Sequence, residues 1–183
     1  MKVRTLIGIA LVASFMTASG AQARTTVWKS IAMACVPTST TITGQKYVTT
    51  GGRVKHKPGR LGLISFVCPI EADGLTTTKR YELRAYIGRV LNHPLRPSNY
   101  VRAQLRGVRN RTGDVFTILD ANYGFNLLTT SDRVGQMWSE REYIGWSNEI
   151  TYYVQLTVTR DQLRRAGGIE QIPSILSVEL IED

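Results

Sequence analysis

Two thiols, two imidazoles, a few paired carboxylates, one basic row and one aromatic group are the residues here whose types and spacing could perform chemistry. Cys35 and Cys68 are the only cysteines. A lipid-anchor cysteine follows the apolar part of an export signal directly and becomes the mature N-terminus. Cys35 does not, because Arg24 and Lys29 intervene. A nucleophilic thiolate needs a basic neighbour, and no motif supplies one. Thirty-two residues separate the pair, unlike the close pairs of a zinc site. The remaining readings are a Cys35–Cys68 disulfide, which an oxidising compartment permits, or two free buried thiols. The disulfide is preferred.

The histidines are His56, in "RVKHKPGR", and His93, in "LNHPLRP". Neither lies in a nucleophile-elbow frame, and both read as exposed turn residues. Paired carboxylates could hydrolyse a glycosidic bond if about 5–10 Å apart. Glu71 with Asp73, and Glu140 with Glu142, stand at i, i+2, and would share a strand face. Arg53, Lys55 and Lys57 would face one way on a hairpin, where the row could attract phosphate or sulfate groups. A second basic group is Arg102, Arg106, Arg109 and Arg111. Either group also serves simply as a solvated face that discourages edge pairing. Trp138, Tyr143 and Trp146 cluster near an expected turn, and flat aromatic faces stack on sugar rings. The competing reading places at least one Trp in the core. The "NRT" at 110–112 matches a glycosylation sequon.

These residues must be held by strands. In "RYELRAYIGRV", Tyr81, Leu83, Ala85 and Ile87 alternate with Arg80, Glu82, Arg84 and Tyr86. In "YVRAQLRGV", Val101, Ala103 and Leu105 oppose Arg102, Gln104 and Arg106. In "ITYYVQLTVT", Ile150, Tyr152, Val154, Leu156 and Val158 take one face. Period two is the signature of a half-buried strand. Weaker strand candidates are 27–34, 61–68 (nearly all apolar, as if buried on both faces), 114–120, and 174–181 with Leu176, Val178 and Leu180 in alternation. "TGG", "KPG", "EADG", "NRTG" and "GWSN" punctuate the runs with turn chemistry. Short strands between such turns predict an antiparallel sandwich or barrel. One short helix is expected near 160–167, capped by Asp161 and Gly167. Residues 133–146 admit a helix striped by Val134, Met137, Trp138 and Arg141, or a strand alternating Trp138, Glu140 and Glu142 that turns at "GWSN"; the hairpin is preferred because the strand after it needs a neighbour.

The N-terminus predicts a cleaved signal peptide over 1–23. Lys2 and Arg4 precede the apolar "LIGIALVASFMTA", and Ala21-Gln22-Ala23 fits the cleavage rule. The apolar run is too short for a good anchor, and no later stretch is long enough to span. Residues 24–183 suit one domain. The formal charge of +9 becomes +7 without Lys2 and Arg4, which favours anionic partners.

"ACVP", "QKYVTTGG", "GRLGLISFVCPI" and the late "GWSNEITYYVQLTVTR" carry a resemblance. The chain resembles a group of uncharacterised secreted bacterial β-sandwich proteins. In that group Cys-Val-Pro opens the domain, Tyr-Val-Thr-x-Gly-Gly follows, and Phe-x-Cys-Pro closes the cysteine pair. The resemblance implies a secreted, disulfide-closed, all-β single antiparallel β-sandwich of jelly-roll type. It carries over no activity.

The sequence reading is therefore an exported, secreted or periplasmic, non-enzymatic protein. Its ligand-binding candidates are Trp138, Tyr143, Trp146, Arg53, Lys55 and Lys57. An anionic polysaccharide or lipopolysaccharide is the expected partner. The alternative is a polysaccharide hydrolase using a carboxylate pair. Nothing implies a metal, a cofactor or specific nucleic-acid binding.

Overall fold

The computed structural model describes residues 24–39, 46–88, 100–122, 127–129, 134–160, 165–166, 169–170, 172 and 174–183. The strands, in chain order, are β1 Thr25–Ile31, β2 Val36–Pro37, β3 Tyr47–Thr50, β4 Arg53–His56 and β5 Gly62–Pro69. They continue with β6 Arg80–Gly88, β7 Val101–Arg109, β8 Val115–Asn122, β9 Leu127–Thr129 and β10 Val134–Trp138. The last five are β11 Glu142–Tyr143, β12 Ile150–Arg160, β13 Arg165–Ala166, β14 Ile169–Glu170 and β15 Ser174–Glu182. A 3-10 turn, Ala32–Ala34, follows β1.

The predicted alternation sets the two sheets. One runs β3-β4-β15-β6-β10-β9, with β1 also on β15 and β11 also on β6. The other runs β2-β5-β12-β7-β8, and every pairing in both is antiparallel. Their inner faces pack as a β-sandwich. Tyr81, Leu83, Ala85 and Ile87 of β6 meet Tyr152, Val154, Leu156 and Val158 of β12 and Val101, Ala103 and Leu105 of β7 in one core. The fold is the all-β antiparallel sandwich read from the sequence. The jelly-roll arrangement implied by the resemblance is not established by these strand orders.

Several local expectations differ. On β15, Ser174 to Glu182 pair with β6, and the register shifts between Ile175 and Ser177. Leu176 is the extra residue of this bulge and is only half-buried, so Ile175, Val178 and Leu180 face inward instead. A bulge puts two residues opposite one and so breaks strict alternation. The apolar β5 turns Ile64, Phe66 and Cys68 into the core; on its other face Ser65 is also covered, but Leu63, like Leu61 just before the strand, is about 40% exposed. Residues 134–138 do form a strand, but β10 pairs with β6, not β12. Both edges of β12 are already taken by β5 and β7, so "GWSN" carries the chain between sheets. The helix expected near 160–167 is not seen where described. Arg160 closes β12, and Arg165–Ala166 pairs with β14. The rest of that span, 161–164 and 167, lies outside the described residues, as does His93.

His56 is not an exposed turn residue. It alternates with Val54 on β4, so both side chains enter the core. A tight turn forces this hairpin: Gly51 and Gly52 both have positive φ, the geometry of a two-residue hairpin loop.

Cys35 and Cys68 are joined by a disulfide, with Cα atoms 4.5 Å apart and both residues buried. The bond ties the turn after β1, in the first sheet, to β5 in the second. It closes a loop over a sequence separation of 33 residues. Reduction, or a Cys35→Ala/Cys68→Ala double substitution, is predicted to lower unfolding stability by about 3–4 kcal/mol. Urea unfolding with and without reductant measures this directly, and an unchanged midpoint contradicts it.

Candidate functional site

Three aromatic residues close in sequence part company in space. Trp146 packs edge-on between Tyr81, at 5.3 Å between ring centroids, and Tyr152, at 4.6 Å. The Tyr152 hydroxyl accepts from the Ser147 N–H at 2.9 Å and donates to the Gly145 carbonyl at 3.2 Å. This pins the crossing between sheets, and Trp146 is part of the core rather than a binding platform. Tyr143 is 61% exposed on the other side of β11, where the Arg80 guanidinium lies 5.2 Å from its ring centre. With Thr78, Lys79, Arg80 and Asp183 it lines a small recess of about 310 Å³.

Trp138 stands apart from both. It lines a cleft of about 450 Å³ with Ser139, Glu140 and Glu142 on one side and Ile118, Leu119, Asp120 and Asn122 on the other. The cleft exists for a topological reason. Strand β9 pairs with β10 only over Gly135–Met137, so the chain from Trp138 onward has left that ladder. Strand β8 ends the order of the second sheet and faces this open corner. Consecutive residues of β8 line the wall, so part of it is strand edge rather than one side-chain face. A register shift at Ile118, between the Leu105–Leu119 and Arg106–Thr117 pairs, adds a bulge there. Bulges at sheet edges re-aim side chains.

The polar groups of the cleft are held unequally. Arg102 grips Asp120 with both Nε and Nη2, and this raises the pKa of the guanidinium. Ser139 is buried: its N–H donates to the Leu83 carbonyl at 2.9 Å, and its hydroxyl accepts from the Leu83 N–H at 3.0 Å. This anchors the start of the Ser139–Arg141 turn. Glu140 and Glu142 are exposed. The sequence pair Glu140 and Glu142 therefore shares a cleft, whereas Glu71 and Asp73 are exposed loop residues that do not line it. Asp120 and Asn122 come from a distant strand and were not singled out from the sequence. Their only signal was the outward period of β8.

On the outer face beside the cleft, β1, β15, β6 and β10 form a cross-strand row of Lys29, Glu179, Arg84 and Trp138. Glu179 takes Lys29 Nζ at 2.6 Å and the Tyr86 hydroxyl at 3.0 Å. Glu82 takes Arg84 at 2.7 Å and Arg141 at 3.1 Å. Arg141 also reaches Asp183 at 2.7 Å. Both glutamates are nearly buried on a face that points outward. A carboxylate out of water must be paired and hydrogen-bonded, and these are. Arg141 thereby fixes the loop that carries Glu140 and Glu142.

The basic row lies elsewhere. Arg53 and Lys55 share the outward face of β4, and Lys57 follows the strand. None of the three enters an ion pair among the described residues. The structure does not bring them to the aromatic cleft. Of the second basic group, Arg102 and Arg106 share the outer face of β7 but are committed to Asp120 and Gln155, while Arg109 and Arg111 are exposed near the β7–β8 turn.

No protein-family model matches the chain, and no curated protein matches it. No group of His, Cys, Asp and Glu among the described residues could hold a metal ion. No helix among them is long and apolar enough to cross a membrane.

The two tryptophans should separate cleanly by substitution. Trp146→Ala removes a ring wedged between two tyrosines and is expected to cost about 2–4 kcal/mol of stability. Trp138→Ala, on the cleft wall, is expected to cost under about 1 kcal/mol. Chemical denaturation of both variants checks the order; equal losses would place Trp138 in the core as well.

Proposed function

We propose that this chain is an exported, non-enzymatic binding module for a sugar-bearing surface, with the sugar ring seated in the Trp138 cleft. The carrying observation is that Trp138, Asp120, Glu140 and Glu142, from different sheets, line one opening. An indole face stacks on the C–H face of a pyranose. Carboxylate oxygens and the Asn122 amide accept sugar hydroxyl donors, and the amide also donates. The cleft volume falls within the ~300–1,000 Å³ of small-ligand sites. Three carboxylates repel phosphate and sulfate, so the cleft suits a neutral or amine-bearing ring.

Anionic groups of the same surface, such as those of an acidic polysaccharide or lipopolysaccharide, have a separate contact in Arg53, Lys55 and Lys57. None of these three cations enters an ion pair among the described residues. Export into an oxidising compartment is supported by the Cys35–Cys68 disulfide, since such bonds persist there. The signal-like N-terminus and the resemblance to secreted bacterial sandwiches agree with it.

Hydrolysis is the second reading, favoured by the same shared cleft. It is the weaker one. A glycosidase keeps one carboxyl protonated, commonly by burial. Here Glu140 and Glu142 are exposed and Asp120 is paired with Arg102.

Calorimetric titration of the purified chain with neutral, amine-bearing and sulfated oligosaccharides, at low and moderate salt, tests the proposal. Trp138→Ala should weaken neutral-sugar binding about tenfold, a loss of ~1.4 kcal/mol. Arg53→Glu/Lys55→Glu should abolish only the salt-sensitive binding of the sulfated sugar. No binding of any class sinks the reading. Reducing-end release that disappears in Glu140→Gln would turn it into the hydrolase.

A further inference from the structure

At one end of the core, two fully buried ionisable side chains face each other from opposite sheets. His56 of β4 and Arg160 of β12 are both 0% exposed. His56 Nε2 lies 3.2 Å from the Val158 carbonyl oxygen, so this nitrogen carries the proton and donates. Nδ1 is then a buried lone pair, and no donor among the described residues reaches it. Arg160 Nη1 donates to the Arg60 carbonyl at 3.3 Å, in the turn between β4 and β5. The charged groups acting on the imidazole are Arg160 from β12 and Lys46 from the segment before β3, and both are cations. Across the β3–β4 ladder, its neighbour is Tyr47.

The hairpin that carries His56 is lightly attached. Among the described residues, strand β3 pairs only with β4. Strand β4 reaches the rest of its sheet through two residue pairs, Lys55–Ser174 and Val54–Ile175. Beyond these, Val54 enters the core and the Tyr47 ring meets Phe66 edge-on at 5.1 Å. Among the described residues, the His56–Val158 bond is thus one of few ties between this hairpin and the opposite sheet.

We propose that His56 is an acid-released latch that holds the β3–β4 hairpin, and with it the basic row Arg53, Lys55 and Lys57, against the second sheet. A proton added at Nδ1 has no acceptor among the described residues and places a second buried cation beside Arg160. Burial chiefly, and then the nearby cations, hold the imidazole below its ordinary pKa of 6.5. In the released hairpin it regains that value. The neutral imidazole therefore stabilises the closed hairpin fully above pH 6.5. That contribution is lost as pH falls through 6.5 towards the lower value of the closed state. This inference goes beyond the binding proposal and does not depend on what the basic row contacts. Its interest is that an exported protein meets the pH of its surroundings directly.

Amide hydrogen exchange of the purified chain, corrected for intrinsic rates, tests it. Between pH 6.5 and the pKa of the closed state, opening of the β3 and β4 amides should rise about tenfold per pH unit, the slope of one proton. The amides of β6, β7 and β12 should keep their protection. His56→Gln retains a donor for the Val158 carbonyl but cannot take the proton, and should flatten the pH dependence. Should that variant not fold, the wild type still decides: the His56 ring resonance must titrate below 6.5, at the pH where hairpin opening levels off. Protection of β3 and β4 that does not change with pH overturns the latch. So does a loss shared equally by every strand, or the same pH dependence in His56→Gln.

Discussion

The packing of two inner faces, each fixed by strict alternation along a central strand, is the constraint on which this structure depends. Strand β12 is paired along both edges, with β5 from Tyr153 to Arg160 and with β7 from Ile150 to Val158. Strand β6 is paired along one edge with β15 and along the other with β10 and then β11. A one-residue slip of either strand would exchange Leu and Val for Arg, Gln and Thr in the core. That penalty leaves one register. Irregularity is displaced to the neighbours, to the bulge at Leu176 on β15 and the one at Ile118 on β8. The disulfide acts at a different point, stapling the start of the first sheet to β5, whose only strand neighbour beyond β12 among the described residues is the two-residue β2.

Once the inner faces are set, the outward residues have no choice of neighbour. Glu179 must lie opposite Arg84 and Lys29, and Glu82 beside Arg84 and Arg141. Exposed ion pairs contribute only about 0–1 kcal/mol each. These two carboxylates are different, because long neighbouring side chains cover them almost completely. Removing Lys29 would leave Glu179 a nearly buried charge without its cation, which costs more than the pair itself is worth; Glu82 keeps one arginine when the other is removed. The effect is to hold the Ser139–Arg141 turn, and so the mouth of the cleft, at a definite place on the sheet. The outer charge pattern thus connects core register to site geometry.

How far the sequence showed this can be argued from particular residues. Tyr81 to Ile87, Val101 to Leu105 and Tyr152 to Val158 were legible because each strand lies between neighbours with one face in the core, where period two is undisturbed. Ile175 was not, because a bulge is a matter of pairing and leaves no mark in composition. The partner of β10 was misread because adjacency in sequence suggested β12, and nothing local says that both edges of β12 are occupied. Trp146 and Trp138 have similar surroundings in sequence and opposite fates. Only the sheet crossing at Gly145–Asn148 turns one inward. His56 looked exposed because four cations surround it within eight residues. Alternation with Val54 was the better guide, since a strand cannot turn one face to water selectively for a charge-rich stretch.

The candidate site shows the same limit most sharply. Asp120 is on β8 of the second sheet and Glu140, 20 positions on, is in the turn that follows β10 of the first, so no spacing rule could join them. Strand order also decides how the two charged surfaces relate. Arg53 and Lys55 are on β4, and Trp138 is on β10, with β15 and β6 between. Three inter-strand steps of ~4.8 Å put at least roughly 14 Å between them. A Debye length is only about 8 Å at physiological ionic strength. The carboxylates of the cleft therefore do little to neutralise the basic row, and the row does little to draw anions into the cleft. The net charge of +9 reports neither surface faithfully. A chain that looks uniformly basic in composition carries an acidic opening at one side of a sheet and unpaired cations at the other. Any ligand that touches both must be long enough to cross the outer faces of β15 and β6, where Lys29, Glu179, Arg84 and Tyr86 already satisfy one another.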